Sequence, residues 1–71
     1  MTHPIPAGYT PHLQTPEGFR YRVCHYTDGT AQSWHIWDAV EGAWVTVGSY
    51  SDEPHLWFSS TAALSHAARL N

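Results

Sequence analysis

Between Phe19 and Tyr50 apolar and polar positions alternate with the period of two that marks half-buried β-strands. Asp28-Gly29 interrupts the alternation with a two-residue hairpin signal, since both central positions of a type I′ turn need positive φ. A hairpin centred there pairs Val23 with Trp34, Tyr21 with Ile36 and Phe19 with Asp38. The same register sets Arg20 opposite Trp37, Arg22 opposite His35 and Cys24 opposite Ser33. A second turn at Glu41-Gly42 pairs Ala39 with Trp44, Trp37 with Thr46, Ile36 with Val47 and His35 with Gly48. A longer loop with a glycine bulge is the alternative there, and it would slip that register.

Four of the five prolines (Pro4, Pro6, Pro11 and Pro16) fall within residues 1–18, which excludes helix and predicts an extended Pro-rich arm. Ile5, Tyr9 and Leu13 are the residues able to tack that arm onto the body. Residues 51–54 read as a turn, and residues 55–58 as a short fourth strand in preference to a helical turn. Ser59 or Ser60 then caps a helix running to about Leu70, with Ala63, Leu64, Ala67 and Leu70 at helical spacing and Arg69 suited to its C-terminal dipole. The predicted fold is α+β: a three-stranded antiparallel meander packed on one C-terminal helix. The arm occupies residues 1–18, and a single small βββα domain occupies residues 19–71.

One face of this meander collects Phe19, Tyr21, Val23, Trp34, Ile36, Val45 and Val47, a core. The other collects Arg20, Arg22, Cys24, Tyr26, His35, Trp37, Trp44 and Thr46. One helix covers one face, so the second face is expected to be open. Trp, Tyr and Arg are the types enriched in binding hot spots, which makes Arg20, Arg22, Tyr26, His35, Trp37 and Trp44 the candidate protein-binding residues. Arg20 is expected to stack as a cation on Trp37, and Gly48 opposite His35 to leave a notch for a partner side chain. The competing expectation is that the Pro-rich arm folds across this face and makes it a second small core.

Composition narrows the function. Apolar residues are 42% and charged residues 13% of the 71, too apolar for a disordered chain. No apolar run approaches the roughly 18 residues of a membrane span. The first eight residues carry neither Arg or Lys nor the apolar stretch of a secretory signal, so a cytoplasmic location is expected. Three Arg, no Lys and six acids give a net charge of −3, which disfavours nucleic acid as a partner. Cys24 stands alone and cannot form an internal disulfide. The absence of Lys beside abundant Ala, Gly, Pro, His and Arg suggests GC-rich codons and a bacterial or phage source.

The candidate chemistry is thin. Six histidines invite a metal, yet no two of positions 3, 12, 25, 35, 55 and 66 lie within five residues of each other, and neither metal nor cofactor is expected. Cys24 and His35 share a face, the minimum for a thiolate–imidazole pair, but no third group orients the imidazole and a buried, inert thiol is expected instead. Asp38 with Glu41, and Asp52 with Glu53, read as turn and cap residues before acid–base pairs. Arg22 beside His35 is expected to lower the imidazole pKa by like-charge repulsion. The chain is thus expected to be no enzyme but a small inhibitor or adaptor, most concretely one encoded by a phage or mobile element, that binds a host protein of unspecified identity.

Arg20-Tyr21-Arg22 on the first strand, Trp44-Val45-Thr46-Val47-Gly48-Ser49-Tyr50 on the third and an Ala-rich helix after it resemble the arm-type DNA-binding domains of phage integrases and the plant APETALA-type domains. The likeness spans about residues 19–70 and implies a nucleic-acid-binding sheet as the alternative function, although the basic residues such domains place around the sheet are missing. Val47-Gly48-Ser49-Tyr50 is also similar to a sporulation-related peptidoglycan-binding repeat, a fold that needs further strands after the helix, where this sequence ends at Asn71. A structural homodimer joined through the aromatic face is the remaining alternative.

Overall fold

In the computed structural model, which describes residues 2–46 and 55–71, β1 (Thr10–Pro11), β2 (Tyr21–Asp28), β3 (Ala31–Asp38) and β4 (Ala43–Trp44) form one antiparallel sheet in that order. The helix α1 (Ser60–Leu70) packs on one face. This is the α+β meander and C-terminal helix that the alternation predicts, with one strand more. The extra edge strand β1 comes from the Pro-rich arm, and Pro11 is tolerated there because an edge strand need not donate on its outer side.

The central hairpin turns one residue later than expected. Gly29 and Thr30 are its turn residues, and the register pairs Val23 with Ile36, Arg22 with Trp37, Cys24 with His35 and Tyr21 with Asp38. Gly29 has φ +64° and, among the described residues, no non-glycine residue has positive φ, as in a type II′ turn, which needs glycine only at its first central position. The expected partners Val23–Trp34, Tyr21–Ile36, Phe19–Asp38, Arg20–Trp37, Arg22–His35 and Cys24–Ser33 are therefore all displaced by two residues. A displacement of two preserves the pleat, so the division of side chains between the faces stands.

The second hairpin shows the same displacement: Trp37 pairs with Trp44 instead of Thr46, across a loop of residues 39–42. Asp38 builds this loop. Its Oδ1 accepts the N–H groups of Val40 (3.0 Å) and Glu41 (3.2 Å), and its carbonyl accepts the N–H of Gly42 at 2.8 Å. The expected Ile36–Val47 and His35–Gly48 pairs, the Gly48 notch and the turn at residues 51–54 lie outside the described residues. Beyond β4 the edge of β3 is taken by Trp57, which exchanges both backbone hydrogen bonds with Trp34 at 2.8 and 2.9 Å. The extended reading of residues 55–58 is thus realised as a single bridge.

Val23 and Ile36 from the hairpin meet Ala63 and Ala67 from α1 in a fully buried cluster, with Tyr21, Trp34, Val45, Trp57 and Leu64 packed around it. Two alanines on one helix face let the helix lie close on the strands. Phe19, expected in this core, is instead exposed. It precedes β2 in a turn where its N–H meets the Pro16 carbonyl at 3.2 Å and Gly18 has φ +110°. Ser59 caps α1 by accepting the Ala62 N–H at 3.1 Å. At the other end the Asn71 side chain accepts the Tyr21 N–H (3.0 Å) and donates to the Tyr21 carbonyl (2.9 Å), pairing with the start of β2 as a strand residue would.

Ile36→Ala should therefore cost about 2–5 kcal/mol by urea denaturation, a large part of the stability of so small a domain. Phe19→Ala should cost less than about 1 kcal/mol. Equal losses from the two substitutions would place the core on the wrong side of the sheet.

Candidate functional site

The face expected to be open is filled by the N-terminal arm. Tyr9 lays its ring among Trp44, Tyr26 and His35, at centroid distances of 4.6, 5.0 and 5.7 Å. Trp44 in turn lies 4.9 Å from Trp37 and 5.6 Å from His35. The Trp37 indole N–H donates to the His3 carbonyl at 3.0 Å, and the His3 N–H donates to the Ala39 carbonyl at 2.6 Å. His3 lies so close over Gly42 that a Cβ there would come 2.8 Å from its ring, and Gly42 already has φ +69°. Further along the arm, the His12 N–H donates to the Val23 carbonyl (2.8 Å) and the buried Thr15 hydroxyl accepts the Val23 N–H (2.8 Å). Both backbone groups of a central core residue are thus satisfied by the arm.

The six candidate residues separate accordingly. Trp37 and His35 are 7% and 8% exposed, and Arg22 and Trp44 are half-buried. Arg20 and Tyr26 are exposed. The expectation of an open Trp/Arg face is corrected: aromatic side chains on the uncovered side of the sheet bury apolar area against Tyr9 and the arm, forming the second small core that was the competing expectation. Arg20 does not stack on Trp37. Its guanidinium grips Asp38 through two hydrogen bonds of 3.1 Å each and sits 5.0 Å from the ring of Tyr21. The structure makes Asp38 a loop-capping residue, as the sequence suggests.

The titratable groups on this face are tuned by burial. Desolvation holds the His35 imidazole below its ordinary value, against a weaker opposing influence of the His55 backbone. The direction matches the expectation, although the cause is burial and not Arg22. One ring nitrogen of His35 shares a hydrogen bond with the buried Ser33 hydroxyl at 3.0 Å, while Nδ1 has no partner of good geometry among the described residues. Burial pushes the Cys24 thiol up to about 12, only partly offset by Arg22. Its Sγ donates to the backbone carbonyl of His35 at 3.6 Å and not to the imidazole, so no thiolate–imidazole pair is assembled. Burial also raises the Asp38 carboxyl, but Arg20 and the Val40 and Glu41 N–H groups outweigh it and hold the carboxyl below its ordinary value.

The most exposed apolar side chains lie away from the ring cluster around Tyr9. Leu13 is 93% and Phe58 81% exposed. Leu13 borders a hollow of about 380 Å³ lined by Pro11, His12, His25, Trp34 and Ser60, in which the His25 and Trp34 rings stack at 4.9 Å. Phe58 immediately precedes the Ser59 cap. An apolar residue there commonly packs against the fourth helical position, but that position is the small, buried Ala63, so Phe58 stays outside. Leu13 appeared in the sequence only as a tack for the arm, and Phe58 only as part of an extended segment. The available signal was that Leu13 follows Pro11 by two residues and Phe58 directly precedes the cap, both near residues that fix the backbone.

Two pH responses follow, with definite signs. With the folded pKa of His35 depressed, the unfolded chain takes up a proton that the folded chain excludes, so stability falls as pH drops below about 6.5 toward the folded pKa. The Asp38 contribution is complete above about pH 3.9 and is lost as pH falls from there through its folded pKa. Melting temperature against pH should show both descents, the first flattened in His35→Gln and the second in Asp38→Asn. A wild-type slope retained in His35→Gln between about pH 6.5 and 5 would contradict the burial assigned to this ring. Cys24 should resist iodoacetamide in the native protein and react only once the chain is unfolded by urea; rapid native labelling would contradict its placement.

No known protein family matches the chain, and no curated protein or solved structure is significantly similar to it.

Proposed function

We propose that the chain is a small, non-catalytic protein-binding module, a cytoplasmic inhibitor or adaptor, that meets its partner through the helix-side patch of Leu13, Trp34 and Phe58. The exposure of Leu13 and Phe58 carries this reading. Large apolar side chains held in water act as anchors when a partner closes over them, and Leu13 also borders an apolar hollow. Their backbone is already ordered, by the β1 pairing and its His12 continuation on one side and by the helix cap on the other, so little entropy remains to be lost on association. Of the six residues first singled out, Trp37 and His35 serve folding, and Arg20 and Tyr26 keep surface that a partner could touch. The nucleic-acid alternative requires aromatic rings open to bases, and on this sheet Tyr9 takes their place. No helix among the described residues is long and apolar enough to cross a membrane.

The test is capture from a lysate of the source cell by immobilised wild type and by the Leu13→Asp/Phe58→Asp double variant. The double variant should melt within a few degrees of wild type and lose the captured protein. Trp37→Ala should instead lose about 3–5 kcal/mol of folding stability. Undiminished capture by the double variant would remove the patch as the interface. Concentration-dependent sedimentation of wild type, abolished in the double variant, would assign the patch to a second copy of the chain.

A further inference from the structure

We infer that the groove between the N-terminal arm and the turn at residues 17–19 binds the carboxylate of a ligand with an apolar body, and that Arg22 is its anion-binding group. This site shares Pro11 with the helix-side hollow but does not rest on the reading of that patch. The groove encloses about 390 Å³, within the range of roughly 300–1,000 Å³ usual for small-ligand pockets. Its walls include Ile5, Pro6, Tyr9, Pro11 and Phe19. The prolines fix their own φ, which leaves the arm little freedom to lose when a ligand enters.

Arg22 enters this groove from β2, half-buried. Its Nε donates to the Thr15 carbonyl at 3.2 Å, which orients the guanidinium plane and leaves the two terminal NH2 groups for another acceptor. Among the described residues no carboxylate lies within 4.0 Å of Arg22, whereas Arg20, two positions earlier, is held by Asp38. A guanidinium partly withdrawn from water and paired only with a neutral carbonyl is poised for an anion, and its planar fork fits a carboxylate with two parallel hydrogen bonds. Glu17 lines the same groove, and the chain carries a net charge of −3. Both weigh against a phosphate or a dicarboxylate, which leaves a single carboxylate on an apolar body. A free organic acid and the C-terminus of a polypeptide both present that group.

The test is an NMR titration of the full chain with 3-phenylpropionate and with an N-acetylated tetrapeptide ending in phenylalanine, each beside its carboxamide. The acids should shift the Ile5 methyl, Phe19 ring and Arg22 Nε–H signals saturably in the millimolar range, and the amides should not. Response to the tetrapeptide alone assigns the site to a chain end; response to 3-phenylpropionate assigns it to a free acid. Arg22→Gln should weaken binding at least about tenfold, the scale of a lost charged hydrogen bond. Phe19→Asp, a change at an exposed wall residue outside the core, should weaken it comparably with the fold retained, which covers the case in which Arg22→Gln loosens the Thr15 contact. Glu17→Gln should tighten it by about twofold through the removal of a nearby like charge. Equal shifts with acid and amide, or wild-type affinity in Arg22→Gln or in folded Phe19→Asp, would overturn the assignment.

Discussion

A sheet has two faces, and the described residues supply one helix. The Ala63/Ala67 side of α1 closes over Val23 and Ile36, leaving a second face that bears Cys24, His35, Trp37 and Trp44. Rings of that size left in water would forgo much of the apolar burial available to a chain this short. The arm resolves the difficulty without a second helix. Tyr9 provides the ring that fills the space between Tyr26, His35 and Trp44, and the His3 carbonyl satisfies the Trp37 indole N–H that would otherwise be buried without an acceptor. The domain therefore has two thin cores on either side of one hairpin, and the aromatic residues that resemble a binding surface belong to the second of them.

How much of this was legible follows from what each residue pattern encodes. Alternation encodes parity, and parity survives a turn that moves by one residue, because partners then shift by two. That is why the faces of the paired strands were assigned correctly while every expected cross-strand pair among the described residues was displaced. Turn position depended on a distinction the dipeptide Asp28-Gly29 does not carry: whether both central residues or only the first take positive φ. The helix was readable because its cap, its alanine spacing and its terminal Arg69 agree with one another. The arm's destination was not. Prolines exclude helix but do not say which surface an extended segment will cross, and the long-range contacts that decide it, Thr15 to Val23 and His3 to Trp37, leave no local pattern.

Asp38 shows how one side chain joins the two levels. It closes β3 opposite Tyr21, caps the loop into β4 through two backbone N–H groups, and takes the fork of Arg20 on its remaining acceptor sites. The loop so fixed puts Ala39 where it accepts the His3 N–H and Gly42 where it admits the His3 ring. The entry of the arm onto the aromatic face thus rests on a carboxylate from the far end of the hairpin. A buried carboxylate with this many partners stays ionised to lower pH than a free aspartate, which ties the covered state of the face to the same group.

Arg20 and Arg22 belong to one Arg-Tyr-Arg segment, and the structure separates them by the partner each one meets. Arg20 stands before β2 begins and reaches a carboxylate; Arg22 stands within β2 beneath the arm and reaches only the Thr15 carbonyl. The first is neutralised by the fold, so its contribution is to the loop that Asp38 builds. The second has no carboxylate within 4.0 Å among the described residues and lines a groove of mostly apolar residues that Glu17 also borders. Leu13 and Phe58 repeat this contrast among apolar residues: Val23 and Ile36 are consumed by the core, whereas these two are held outside it on ordered backbone. Among the described residues several large apolar side chains stay exposed, and Leu13 and Phe58 are the most exposed of them. Functional surface is most economically sought among them, because a residue already committed to packing cannot be given to a partner without loss of the fold.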